Sequence, residues 1–162
     1  MKREVSMIAM ILTVFLAMGS VATVFAHDHG QQPDPVIVQP SERGFAETVS
    51  AFKDEVSQAG WSVLNVNNMA GVLSSRGYTM QPVVIIDVCS GQYSARILSE
   101  DAYRPVSAFM PCRVSIYKTA DGTVFFSRMN AGAFGSMMDP EVAEVMEQSD
   151  AEISEIIDRA RR

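Results

Sequence analysis

Two cysteines carry most of the chemistry that this sequence could perform. Cys89 ends the apolar run PVVIIDVC, and Cys112 lies in the segment SAFMPCRVSIYK. If the strands that carry them are antiparallel neighbours, these strand ends meet and the thiols can form a disulfide. Two free thiols in the core, or a reactive or metal-binding pair, are the alternatives. The sequence contains no C-x-x-C motif, so a thioredoxin-like exchange site is not predicted.

Methionines add thioether sulfur near the second cysteine. Met110 precedes Cys112 by two residues, and Met129, Met137 and Met138 follow in the same half of the chain. Thiolate and thioether ligands together suit Cu(I). Methionine also fills gaps in apolar cores, which is the simpler interpretation of the same residues.

Polar side chains complete the candidate site. Arg128 and Asn130, in the segment SRMN, stand where a strand leaves the sheet, and they either bind an anion or hold the next loop. Tyr93 either lines a pocket or packs against its neighbours. No residue is assigned a catalytic role. The predicted ligand-binding residues are Cys89, Tyr93, Met110, Cys112, Arg128 and Asn130.

Asp87 lies inside the apolar run that ends at the first cysteine. A buried carboxylate needs a partner, and Arg96, Arg113 and Arg128 are the candidates. A structural ion pair is favoured here over a catalytic acid. Arg113 directly follows Cys112, so the two side chains point to opposite faces of a strand and are not expected to touch.

The first 26 residues have the pattern of a signal peptide. Lys2 and Arg3 precede a long apolar stretch, and Val24 and Ala26 occupy the −3 and −1 positions of a cleavage site. An uncleaved anchor, or cleavage after Ala22, is the alternative. Export predicts a periplasmic or secreted bacterial protein, in an oxidising space where a disulfide between the two cysteines can persist.

Cleavage after Ala26 would expose a metal-binding N-terminus. The mature chain would begin His27-Asp28-His29, whose nitrogens can hold Cu(II) or Ni(II) in a square plane. A mobile, solvated tail over residues 27–35 is the alternative. His27 and His29 are the only histidines, so neither a histidine-ligated zinc site in the folded domain nor a triad with a histidine base is predicted.

The chain has an acidic net charge. Its formal net charge is −6 for 162 residues, and it becomes −7 once Lys2, Arg3 and Glu4 are removed with the leader. Nucleic acids and anionic membranes are bound by clustered Lys and Arg, so neither is an expected partner. No stable membrane insertion is expected after cleavage. Residues 36–162 are long enough to form a single domain with its own core.

Hydrophobic periodicity predicts the element order β-α-β-α-β-α-β-β-α. Apolar residues recur at helical spacing over 45–59, and the apolar run ending at Cys89 indicates a central strand. Asp121-Gly122 predicts a hairpin whose second strand buries Phe125 or its neighbour. These elements predict an α+β fold, a two-layer α/β sandwich with one mixed sheet of about five strands and helices packed on one side.

The last predicted element is an amphipathic helix from about Pro140, with Asp139 as its N-cap. Ser149 and Glu152 match a capping box, so a break into two helices near Ser149 is the alternative to one long helix.

Three segments resemble the domain-of-unknown-function family numbered 302. They are GFAETVSAFKDEVSQAGWSVLNV, IIDVCSGQYSARILSEDAYRPVSAFMPCRVSIY and DGTVFFSRMN, and the resemblance spans about residues 36–160. FMPCR and SRMN are similar to an exported bacterial branch with two cysteines. The resemblance implies a compact two-layer α/β domain, often a small oligomer, and it carries over no catalytic residue. Ser90-Gly91 follows Cys89 where family members often have Asn-Pro.

The favoured interpretation is a non-catalytic binding protein for a metal ion or a small redox-active ligand. The alternatives are a thiol-based redox or sulfur-metabolism enzyme of the cell envelope, and a structural accessory subunit that docks through its C-terminal helix. A sulfur-lined pocket would favour the binding protein. An exposed pair of free thiols would favour the enzyme, and an unmatched apolar patch on the C-terminal helix would favour the docking subunit. The sequence identifies neither a cofactor nor an oligomeric state.

Overall fold

The computed structural model describes residues 34–162. The predicted signal peptide, His27 and His29 lie outside these residues, as does most of the predicted tail over 27–35. The two described residues at the end of that tail, Asp34 and Pro35, both accept hydrogen bonds from Asn130.

Within the described part of the chain, five strands and four α-helices are joined with two 3₁₀ helices. The strands are β1 (Val36–Ser41), β2 (Ser62–Asn68), β3 (Val83–Cys89), β4 (Cys112–Lys118) and β5 (Val124–Met129). The α-helices are α1 (Phe45–Gln58), α2 (Met69–Ser74), α3 (Gly91–Leu98) and α4 (Pro140–Ala160). The 3₁₀ helices, which were not predicted, are Arg104–Phe109 and Ala131–Met137. The predicted order of strands and α-helices is confirmed.

The strands form one sheet in the order β1-β5-β4-β3-β2, and every pairing is antiparallel. The predicted α+β sandwich of about five strands is therefore confirmed, but the expectation of a mixed sheet is wrong. The strands β1 and β2, which α1 joins, do run in the same direction. They lie at opposite edges of the sheet with three strands between them, so no parallel pair forms.

The predicted hairpin joins β4 to β5. Gly122 has a φ of +94°, a conformation that glycine adopts without the steric cost of a Cβ atom. The turn is closed by the N–H of Thr119, which donates to the carbonyl of Thr123 at 2.9 Å. Beyond the turn, Phe126 is 1% exposed and Phe125 is only half-buried, as strand alternation requires.

The core lies between one face of the sheet, here called the covered face, and the helices α1 and α4. Phe52 of α1 meets Phe126 edge to face, with ring centroids 5.6 Å apart. The buried strand residues of the covered face are Val84, Ile86, Val88, Val114, Ile116, Val124 and Phe126. The alternate strand residues form the open face, which includes Val36, Val38, Arg113, Tyr117 and Phe125. Among the helices of residues 34–162, none combines the length and apolar character that a membrane crossing requires.

The helix α4 is continuous from Pro140 to Ala160, without the break considered near Ser149. The Ser149 hydroxyl donates to the carbonyl of Met146 at 3.0 Å, so it bonds back within the helix rather than capping a new one. The Asp139 side chain caps the helix by accepting from the N–H of Glu141. The apolar stripe of α4 is buried within the domain through Val142, Val145, Ile153, Ile156, Ile157 and Ala160.

Candidate functional site

The predicted site residues meet at the end of the sheet where β3 stops and β4 begins. In the register of these antiparallel strands, Val88 lies opposite Cys112. Cys89 therefore follows the direct partner of Cys112 by one residue. This arrangement satisfies the condition under which the sequence places the two cysteines together.

Both thiols are free, and no disulfide joins them. Directly opposed residues share a face, so Cys112 lies on the covered face with Val88, whereas Cys89 begins on the alternate side of the pleat. The register therefore places the two cysteines diagonally across β3 and β4. Whether the bond forms in an oxidising compartment stays a prediction.

Cys89 is the last residue of β3, where the chain turns into α3. Its Sγ lies 3.0 Å from Oγ of Ser94, in the first turns of that helix. The contact holds the thiol towards α3 and away from bulk solvent, and Cys89 is half-buried as a result.

Cys112 lies in a setting that favours its neutral thiol. Burial raises the pKa of Cys112, and the nearby Cys89 and Asp150 raise it further because each would repel a thiolate. Arg128 opposes these effects by attracting negative charge. Since the thiolate is the nucleophile, a raised pKa makes Cys112 a poor attacking group at neutral pH.

A first cavity, here called the inner cavity, has a volume of about 80 Å³ and lies between the strand ends, α3 and α4. Trp61 and Tyr93 form part of its wall, with ring centroids 6.1 Å apart in an edge-to-face arrangement. The indole Nε1 of Trp61 is buried and has no hydrogen-bond partner. Five sulfur-bearing side chains line this cavity, namely Cys89, Met110, Cys112, Met129 and Met146.

A second cavity, here called the outer cavity, has a volume of about 440 Å³ and adjoins the first. Phe109, Met110 and Cys112 belong to the walls of both cavities, so the two form one cleft. The outer cavity is more polar than the inner one, because its wall includes Arg128 and Asp150.

Arg128 is 7% exposed, and its guanidinium group is held by α4. Nη1 and Nη2 both donate to the carboxylate of Asp150, and Nη2 also donates to Oγ of Ser154 at 2.6 Å. Nη1 donates to the carbonyl of Met129 at 3.1 Å, whereas Nε is buried without a partner. The side chain thus ties the end of β5 to α4, and most of its donors are already used.

Asp87 lies on the open face, and its partner is Arg113 among the three arginines considered. Nε of Arg113 donates to Oδ1 of Asp87 at 3.0 Å, between directly opposed residues of β4 and β3. As expected from strand alternation, Arg113 points away from the covered face on which Cys112 lies.

The structure brings most of the predicted ligand-binding residues together. Cys89 and Tyr93 line the inner cavity, Arg128 lines the outer one, and Met110 and Cys112 line both. Asn130 lines neither. Its side-chain amide donates to the carbonyl of Asp34 at 2.9 Å, so it holds the chain that enters β1. Of the other methionines considered as sulfur ligands, Met129 lines both cavities, whereas Met137 and Met138 line neither.

Several cleft residues were not predicted from the sequence. Trp61 was not among the predicted site residues, and nothing in its local sequence shows that its ring meets Tyr93. Met146 and Asp150 lie four residues apart in α4, so helical spacing places them on one side of that helix. This spacing was a usable signal, but it did not reveal that their side of the helix faces the cysteines.

The cleft offers sulfur rather than the usual mixture of metal ligands. Within residues 34–162, no group of three or more His, Cys, Asp or Glu side chains is arranged to hold a metal ion. A metal in the inner cavity would therefore need methionine sulfur in addition to the two thiols. Such a ligand set suits a soft ion and does not suit Mg²⁺ or Ca²⁺.

Comparison with known proteins gives a family and a fold. The family model described as Domain of unknown function DUF302 matches residues 37–160. The crystal structure of an uncharacterized conserved protein DUF302 from Bacillus stearothermophilus is similar, with a TM-score of 0.71 and 26% sequence identity. The similarity covers 79% of this chain and 99% of that chain. No curated protein matches the sequence.

Proposed function

This chain belongs to the DUF302 family, and we propose that it is a non-catalytic binding protein that holds a metal ion or a small redox-active ligand in the cleft. The observation that carries the proposal is the convergence of Cys89, Cys112 and Met110 on the inner cavity. A small concave site with few polar groups is the usual form of a ligand site. No activity is attached to the name of the family.

Binding fits the chemistry of the cleft better than turnover does. The raised pKa of Cys112 keeps its thiol protonated at neutral pH, whereas a nucleophilic cysteine needs a lowered pKa. Arg128 is paired with Asp150 and is therefore not a free anion-binding group. The chain contains no histidine beyond residue 29 that could act as a base.

A thiol-based redox enzyme of the cell envelope is the second candidate, favoured by one observation. Cys89 and Cys112 are close enough for the charge of one to act on the other, and their sulfurs share a cavity. Incubation of the reduced protein with glutathione disulfide and an excess of dithiothreitol separates the two candidates. An enzyme is oxidised by the disulfide and reduced again by the dithiol repeatedly, so it accelerates the exchange above its uncatalysed rate, whereas a binding protein does not. The third candidate, docking through α4, loses its main support because the apolar stripe of that helix is buried.

The cellular location of the protein is proposed from the sequence alone. The signal-peptide pattern over residues 1–26 supports export to the periplasm or the medium. An intact mass of the exported protein tests this proposal. A chain starting at His27 is expected, and a retained leader would contradict both the cleavage and the metal-binding N-terminus at His27 and His29.

Native mass spectrometry of the protein recovered from the envelope of a bacterial host tests the binding proposal. The wild-type protein is expected to carry a bound mass. Ala131→Phe should remove that mass, because Ala131 lines both cavities and a phenyl ring would fill the cleft. Ala95→Phe is the matched control, since Ala95 lies exposed on α3 and lines neither cavity.

The binding proposal has a clear opposite outcome. A wild-type protein that emerges without any bound mass contradicts it, as does a mass that a correctly folded Ala131→Phe variant retains. Circular dichroism establishes that the variant is folded before this comparison is made.

A further inference from the structure

The inner cavity is distinguished by what lines it. Two thiols and three thioethers share its wall, from Cys89, Met110, Cys112, Met129 and Met146. Its wall contains no acidic, basic or imidazole side chain. Sulfur is the ligand that soft ions such as Cu(I) prefer, and no carboxylate, the ligand that harder cations prefer, lines this wall.

The size of the inner cavity restricts its occupant. A volume of about 80 Å³ is several times smaller than the roughly 300–1,000 Å³ of sites that take drug-sized organic ligands. A single metal ion bound by sulfurs of the wall fits inside this volume, as do two or three waters at about 30 Å³ each. Waters need polar partners, and this wall is mainly apolar and sulfur-bearing.

We propose that the inner cavity binds one Cu(I) ion through the sulfurs of Cys89, Cys112 and Met110. This inference rests on the proposed binding function and names its ligand. Two S–H bonds break and their protons pass to solvent. Three copper–sulfur bonds form, two to the thiolates and one to the thioether, as the ion leaves the ligands that delivered it. The oxidation state of copper does not change, so no oxidant or reductant takes part.

Met110 is the thioether assigned to this site because of where the chain places it. It is separated from Cys112 only by Pro111, and both residues line both cavities. Met146 of α4 also lines the inner cavity and is available as a replacement ligand. Met110 therefore contributes to affinity, whereas each cysteine is essential.

The unpartnered indole of Trp61 is a second observation that points to a ligand. Trp61 is 5% exposed and lines the inner cavity, and its Nε1 donor is buried without an acceptor. An unmade hydrogen bond at a buried donor costs about 1–3 kcal/mol. Copper binding converts neutral thiols into metal-bound thiolates, which are hydrogen-bond acceptors, and thus creates the missing type of partner in that cavity.

The test is an anaerobic titration of the full chain, with its thiols reduced, in which bicinchoninate competes for Cu(I). One ion per chain is expected. Cys89→Ser and Cys112→Ser should each weaken binding by more than about 100-fold, and Met110→Leu by about tenfold. Met137→Leu is the matched control and should leave the affinity unchanged, because Met137 is 69% exposed and lines neither cavity.

Two further measurements assign the ion to the cavity. A His27→Ala/His29→Ala variant should keep the Cu(I) affinity, since those residues precede the folded domain in sequence. Zn²⁺ offered to the same reduced protein should bind at least about 100-fold more weakly than Cu(I), because two thiols alone do not complete a zinc site.

The inference is overturned if the folded, reduced wild-type protein does not bind Cu(I), or if the Cys89→Ser/Cys112→Ser variant binds it as tightly as wild type. A failure of the copper proposal can be distinguished from a failure of the binding proposal. An organic mass that Ala131→Phe removes from the protein would leave the cleft as a ligand site while refuting copper. A failure of both experiments would refute both proposals.

Discussion

Two neighbouring residues of β5 show how differently the two faces of the sheet are used. Phe126, on the covered face, is 1% exposed and packs edge to face against Phe52 of α1. Phe125, on the open face, is half-buried and stacks on Tyr117 with ring centroids 5.5 Å apart. The covered face therefore derives its stability from interlayer packing, whereas the open face has local cross-strand contacts.

Each face also carries one arginine–aspartate pair. On the covered face, the side chains of Arg128 and Asp150 are 6% and 20% exposed, and they join β5 to α4. On the open face, Arg113 pairs with Asp87 between adjacent strands; the Arg113 side chain is 65% exposed, whereas that of Asp87 is 12% exposed. The same chemical pair thus joins two layers on one face and two neighbouring strands on the other.

The largest expected difference between the faces concerns the two phenylalanines. Phe126→Ala should lower the free energy of unfolding by about 3–5 kcal/mol, because it leaves a cavity in the core. Phe125→Ala should cost about 1 kcal/mol, since it removes a cross-strand aromatic contact from a half-buried position. Urea unfolding of the two variants measures both values. A loss below roughly 1 kcal/mol for each of them would mean that β5 does not face the core.

The two ion pairs should differ by less, but in the same direction. Arg128→Met leaves the Asp150 carboxylate desolvated and unpaired, so a loss of about 3 kcal/mol in unfolding free energy is expected. Arg113→Met is the matched control on the open face. It should cost about 1–2 kcal/mol, less than Arg128→Met, because Arg113 is 65% exposed and makes a single hydrogen bond to Asp87, whose own side chain is 12% exposed.

A double variant separates the loss of the ion pair from the cost of leaving one charge buried without its partner. Arg128→Met/Asp150→Leu should recover much of the stability that Arg128→Met loses, because no unpaired charge is then left buried. Equal losses of unfolding free energy for Arg128→Met and Arg113→Met would show that an ion pair contributes the same stability on either face of the sheet.

The covered face was largely predictable from the sequence, and the cleft was only partly so. Helical spacing and the apolar run ending at Cys89 predicted the elements, because burial imposes periodicities of 3.6 and 2 on a chain. Asp121-Gly122 predicted the turn, since few other dipeptides adopt its backbone angles readily. Such local patterns do not determine whether two strands pair in parallel or antiparallel fashion. The prediction of a mixed sheet was wrong for this reason.

The cleft depends on contacts between residues that are distant in the chain. Trp61, which precedes β2, meets Tyr93 of α3, and Asp150 reaches Arg128 from a helix 22 residues later. No spacing rule identifies such a partner from one sequence. The two cysteines were the exception. The sequence predicted that they lie close together if their strands pair in antiparallel fashion, and the register of β3 and β4 could test that condition directly.

The smallest expected effect is the pH dependence of stability that Cys112, on the covered face, contributes. Its folded-state pKa is raised, first by burial and then by Cys89 and Asp150, against the attraction of Arg128. The folded protein therefore holds the thiol proton more tightly than the unfolded chain does. The resulting contribution to stability is fully present below the unfolded pKa, about 8.5, and is lost as pH rises through the higher folded pKa.

This loss can be measured in a Cys89→Ser background, which leaves a single titrating thiol in the cleft. The difference in unfolding free energy between that protein and Cys89→Ser/Cys112→Ala should shrink as pH rises above neutrality. Alkylation of Cys112 by iodoacetamide should also be slower in the folded protein than in urea at the same pH, because less thiolate is present. A difference that stays constant or grows with pH, together with faster alkylation in the folded state, would show that the covered face stabilises the thiolate. The reactive-thiol alternative would then gain the support that it now lacks.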